Sequence, residues 1–97
     1  MACRVVWSPQ ALADVEAIAA YIEQDSPFYA RAVVAKLIAV TRQIGQFPLA
    51  GRIVPEMRDM AIREHFVFSY RIIYRLDGDL AMVVAVIHGK RLIESIE

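Results

Sequence analysis

Two serine–proline pairs, Ser8-Pro9 and Ser26-Pro27, divide the first half of the chain, and each opens a stretch whose apolar residues recur every three or four positions. Serine caps a helix well because its hydroxyl accepts from a backbone N–H that the first turn leaves free, and proline fits the first helical position, where no N–H is needed. After the first pair, Leu12, Val15, Ile18, Ala19 and Ile22 form a stripe with Asp14, Glu16 and Glu23 off it, which predicts an amphipathic helix to about residue 24. After the second, Ala30, Val33, Val34, Leu37, Ile38, Thr41 and Ile44 mark another helix, expected to end at Gly45. Their connection, Gln24 to Ser26, is so short that the helices must run antiparallel and share apolar faces with each other and with a further layer.

That layer is legible as a change of period. Residues 3–7, CRVVW, are a β-branched and aromatic run that reads as a strand ending at Ser8. Beyond the helices, FPLAGRIVP (residues 47–55) holds two prolines and a glycine between apolar residues, the composition of an ordered loop pinned to a core. The period then becomes two, predicting strands over Met60–His65, Phe68–Leu76 and Leu80–His88, with Asp77-Gly78 as the hairpin signal between the last pair. Within YRIIYRL, Tyr70, Ile72, Tyr74 and Leu76 are expected to face the core, leaving Arg71, Ile73 and Arg75 on the other side. The order predicts one α+β domain over residues 1–97: an N-terminal strand, an antiparallel helix hairpin, then a three-stranded antiparallel meander. The helices would pack on one face of the sheet and leave the opposite face free. Gly89 to Glu97 form a short tail compatible with a final half-turn of helix.

Composition narrows the possible functions. An apolar fraction of 58% is high for 97 residues; either its fourteen alanines inflate the count or, the reading favoured here, some apolar surface is expected to meet a partner. Phe66, Val67 and Phe68, beside His65, exceed what a tight turn needs and are candidates for contact with another protein or a second copy. Eleven Lys and Arg balance eleven Asp and Glu, so the chain lacks the overall basic excess usual in nucleic-acid-binding domains, although nine of the eleven cations are arginine. Cys3 is the only cysteine, which fits a reducing compartment, and no apolar run reaches the length of a signal or membrane segment, so a cytoplasmic protein without membrane contact is expected. No cofactor is expected, because there is no glycine-rich phosphate loop, and Cys3, His65 and His88 do not make a metal-ligand set.

Several short motifs in this order resemble one family. They are Trp7-Ser8-Pro9 followed by Ala11, Asp14, Ile18 and Tyr21-Ile22; then Phe47-Pro48 with Gly51-Arg52; then Ile62-Arg63-Glu64, Tyr70-Arg71-Ile72-Ile73-Tyr74 and Val86-Ile87-His88-Gly89-Lys90-Arg91. Together they resemble the RelE/ParE toxin superfamily of type II toxin–antitoxin systems over nearly the whole chain, closest to the ParE and plasmid-stabilisation branch. The resemblance implies a toxin neutralised by a cognate antitoxin and acting on a protein target, DNA gyrase, with a homodimer or a hetero-oligomer as possible assemblies. The alternative within the family is a RelE-like endoribonuclease that cuts mRNA on the ribosome. That reaction needs phosphate-charge stabilisation, for which the resemblance singles out Arg52, Arg71 and Arg91, and proton transfer, supplied by His88, the one tail-side group whose ordinary pKa lies near neutrality, or by the ribosome. RelE-like enzymes usually carry a C-terminal tyrosine, but the tail here reads LIESIE and all four tyrosines lie earlier, a departure that favours the gyrase reading. A decayed toxin that keeps only antitoxin binding is a third possibility.

Overall fold

The computed structural model describes residues 2–93. Strand β1 (Arg4–Trp7) leads into helix α1 (Pro9–Glu23), helix α2 (Pro27–Gln46), a two-residue strand β2 (Arg52–Ile53), and then β3 (Ile62–Val67), β4 (Tyr70–Asp77) and β5 (Leu80–His88). Both serine caps form: Ser8 Oγ accepts from the Ala11 N–H and Ser26 Oγ from the Tyr29 N–H, each at 3.0 Å. Helix α2 continues one residue past Gly45, whose carbonyl accepts the Cys3 N–H at 2.7 Å and so ties the helix end to the start of β1.

The sheet has the order β1-β5-β4-β3-β2; β3, β4 and β5 form the antiparallel meander, and β1 joins β5 in parallel. Gly78, at φ +60, turns the hairpin between β4 and β5, a left-handed backbone that glycine adopts without strain. Between these strands the register slips: Ile73 pairs with Ala85 but Tyr74 pairs with Val83, so Val84 is the extra residue of a β-bulge. Consecutive residues Val84 and Ala85 therefore pack into the same cluster, breaking the alternation of β5. The bulge coincides with the end of β1, and helix α1 with its N-cap Ser8 supplies the missing partners. The Ser8 hydroxyl donates to the Val84 carbonyl at 3.3 Å, and Asp14 Oδ2 accepts the Val86 N–H at 2.9 Å. Asp14, which lies off the apolar stripe, completes the hydrogen bonding of a strand.

The core is double. On the helix side, Val33, Leu37, Ile44, Ile72, Tyr74, Val83 and their neighbours make the main cluster, with Trp7 and Tyr70 partly buried against it. The opposite face is not free as expected: Val54, Ile62, Ile73, Val84, Ala85 and Ile87 bury one another under Met57 and Ile93. A loop too irregular to carry a period, residues 54–61, provides that cover together with the segment after β5. The helical stripes are also rotated from their predicted position. Ala11 rather than Leu12 is buried on α1, and on α2 Val40 joins the buried set while Ile38 stays 42% exposed.

His65, on β3, faces the helix side with its ring stacked on Tyr74, the centroids 5.9 Å apart. Its Nε2 is buried without a hydrogen-bond partner, and burial lowers its pKa from the ordinary histidine value. The unfolded chain therefore binds a proton that the folded chain resists, so stability is complete above about pH 6.5 and declines as pH falls below that value. We expect urea midpoints to drop between pH 7.5 and pH 5.5 in the native protein, and to drop less in His65→Phe; equal drops would exclude His65 as the cause.

Candidate functional site

Four charged side chains converge on the face of the sheet away from the helices. Arg71, on β4, is buried, with its side chain 4% exposed. Its Nε donates to Glu64 Oε1 at 2.7 Å, one η nitrogen donates to Glu56 Oε2 at 2.7 Å and to the Arg91 carbonyl at 2.9 Å, and the other donates to Glu56 Oε1 at 3.0 Å and lies 2.6 Å from Glu64 Oε1. All three guanidinium nitrogens are thus engaged by the protein itself. Glu64, wholly buried on β3, offers its other oxygen to Arg52, whose Nε donates to Oε2 at 2.8 Å and whose side chain is otherwise 59% exposed. The Arg52 guanidinium also lies 5.3 Å from the centre of the Phe66 ring.

The electrostatics follow from this geometry. Two arginines and two glutamates balance, which is what allows charge to be buried here. Hydrogen bonds from Arg71 hold the Glu56 carboxyl down to about 2, against the opposing effect of burial, and the same partner raises the pKa of Arg71 further. Glu56 stays ionised at neutral pH, and its contribution to stability is lost only as pH falls from about 4.5 towards 2.

Of the residues singled out from sequence, Arg52 and Arg71 meet through Glu64. Arg91 reaches the cluster only by its backbone carbonyl, its side chain being exposed. His88 does not join them. It lies at the exposed end of β5 with its ring edge-on to Tyr70, a residue packed against the helix-side core, so the sheet separates it from Arg71. Its Nδ1 accepts from the Lys90 N–H at 3.3 Å. The residues missed from sequence are Glu56 and Glu64. Glu64 stands in the quoted Ile62-Arg63-Glu64 motif, and its place on a strand beside the arginine-bearing one was the available signal; Glu56 sits in a loop and gave none.

The loop before β2 is fixed by Tyr74, whose hydroxyl donates to the Pro48 carbonyl at 2.7 Å. Burial raises the pKa of this phenol, so it remains a donor. Gly51 lies against it so closely that an added Cβ would stand 2.2 Å from the hydroxyl. The Gly51-Arg52 pair is therefore a packing requirement that delivers Arg52 to Glu64. Among the described residues there is no group of three or more potential metal ligands, and no helix is long and apolar enough to cross a membrane.

Away from this cluster, an apolar groove of about 500 Å³ runs along the outer side of the helix hairpin, lined by Ala19, Ala30, Val34, Ala35 and Ile38 with Glu23 and Arg31 at its rim. Phe66 and Phe68 are exposed while Val67 between them is buried, and Phe68, at φ +53, rests against Tyr29 with ring centres 6.3 Å apart.

The family model described as ParE toxin of type II toxin-antitoxin system, parDE, matches residues 5–93. Toxin RelE2 of Caulobacter vibrioides is 33% identical over 90 residues, covering 92% of this chain and 98% of its own. Among solved structures, the chromosomal ParDE system of P. aeruginosa has a chain of the same fold, with a TM-score of 0.73 at 18% identity, covering 89% of this chain and 95% of that one. A chain of the RelBE2 toxin–antitoxin complex of Mycobacterium tuberculosis aligns with a TM-score of 0.58 at 20% identity, covering 91% and 99%.

Proposed function

Because the chain belongs to the ParE toxin family of type II toxin–antitoxin systems, we propose that it arrests growth by binding a protein target, DNA gyrase, and is neutralised by a cognate antitoxin in the cytoplasm. The observation that carries this reading is the state of Arg71. A phosphate-stabilising arginine must present free N–H donors to the substrate, whereas these are taken up by Glu56, Glu64 and the Arg91 carbonyl. The separation of His88 from that cluster by the sheet adds to it, since a general acid or base must stand within hydrogen-bond reach of the reacting atoms. The competing reading, ribosome-dependent mRNA cleavage, would have to work through Arg52, Arg91 and His88. Inducing the chain without antitoxin, and following DNA supercoiling and message integrity in the same arrested cells, tests the choice. Gyrase-linked DNA damage with intact messages is expected; codon-positioned message cleavage would overturn the reading.

The antitoxin's proposed place is the helix-hairpin groove, whose apolar lining with Glu23 and Arg31 suits an amphipathic helix. The double change Ala35→Asp and Ile38→Asp puts two charges on its exposed wall without touching the buried stripe. It is expected to weaken antitoxin binding by about tenfold or more while leaving the melting temperature near the native value. Calorimetric titration of the purified toxin variant with antitoxin measures this, and unchanged affinity would move the contact elsewhere.

A further inference from the structure

The segment after β5 turns back across the sheet face that lies away from the helices. The Arg91 N–H donates to the His88 carbonyl at 2.9 Å, the Arg91 carbonyl accepts from Arg71 at 2.9 Å, and the Ile93 N–H donates to Glu56 Oε2 at 3.2 Å. Ile93 packs on the second apolar cluster, while Leu92 between them stays 74% exposed. Glu56 thus has two partners: its carboxylate receives Arg71 from β4 and Ile93 from the tail. It sits in the turn that begins at Val54, where the Met57 N–H donates to the Val54 carbonyl at 3.2 Å.

We propose that residues 89–93 form a strap clasped by Glu56 and Arg71, and that the strap and the 54–57 turn open and close as one unit. The physical basis is hydrogen-bond accounting. Lifting the strap deprives a buried guanidinium of its carbonyl acceptor and a carboxylate of its N–H donor, and moving the turn deprives both Arg71 and the strap of Glu56. Neither can leave without exposing unsatisfied polar groups in the other. The same accounting reassigns Arg71 as a positioning residue, acting through the tail it holds.

Amide hydrogen exchange read by mass spectrometry tests the clasp on the intact chain. In the native protein, the amides of Arg91, Ile93 and Met57 should exchange more slowly than in an unstructured peptide. Glu56→Ala should accelerate both regions together by about tenfold or more, with β4 and β5 unchanged. Ile93→Pro removes one N–H and sits outside the sheet, so it should fold even if Glu56→Ala does not. It is expected to accelerate Arg91 and Met57 alike. Unprotected tail amides in the native protein, or an Ile93→Pro variant whose tail loosens while Met57 stays protected, would overturn the proposal.

Discussion

Replacing Arg71 with alanine is expected to remove about 3 to 5 kcal/mol of folding stability, because one member of a buried ion cluster is lost and Glu64 remains wholly buried with its charge only half met. That is a large share of the roughly 5 to 15 kcal/mol by which such domains are stable. Urea denaturation of the purified variant measures the loss. The double variant Arg71→Met and Glu64→Leu should recover part of it, since the two apolar side chains need no partners and the exposed Arg52 can turn to solvent, while Glu56 and the Arg91 carbonyl still lose the donors that Arg71 gave them. If the single change costs less than about 1 kcal/mol, the cluster does not hold the fold together. The pair of variants also clarifies toxicity. Loss of activity in Arg71→Ala alone would reflect a damaged fold, whereas loss in the stable double variant would implicate the charge itself.

The second large effect is expected at Gly51. A methyl group there would collide with the Tyr74 hydroxyl at 2.2 Å and press on the Glu64 carbonyl at 3.0 Å. Tyr74 is fully buried and cannot swing aside. Gly51→Ala should therefore break the Tyr74 bond to Pro48 and shift the loop, costing roughly 2 to 5 kcal/mol from overpacking and a lost buried hydrogen bond together. In a Tyr74→Phe background the same substitution should cost less, because the hydroxyl it meets is gone. Thermal melts of the four proteins of that cycle provide the check, and strict additivity would show that the clash lies elsewhere.

Much of the fold could be read directly because its signals are local. Ser8-Pro9 and Ser26-Pro27 placed both helix starts, and the loss of helical spacing with the Asp77-Gly78 turn placed β3 to β5 within two residues. What escaped depended on contacts distant in sequence. The bulge at Val84 leaves no mark in LAMVVAVIH, which is apolar up to its last residue. Strand β2 is two residues long and exists only because Arg52 and Ile53 pair with Glu64 and Arg63. Arg71 looked solvent-facing because alternation gives the face but not what covers it, and its cover comes from Glu56 and the carbonyl of Arg91. The motif Gly51-Arg52 was visible as a resemblance, and its reason became visible only with Tyr74 beside it.

The parallel pairing of β1 with β5 joins segments made far apart in time: Ser8 and Val84, 76 residues apart, share a hydrogen bond. A ribosome releases the helix hairpin long before the strand that β1 must lie against, and closing so long a loop is slow. The first strand therefore waits, unpaired, until β5 has emerged. A chain stopped before Leu80 would carry the groove of the helix hairpin but not the strand that joins β1 to β4. Translation itself thus delays the finished molecule, and a partner able to grip the hairpin could reach the chain before it is whole.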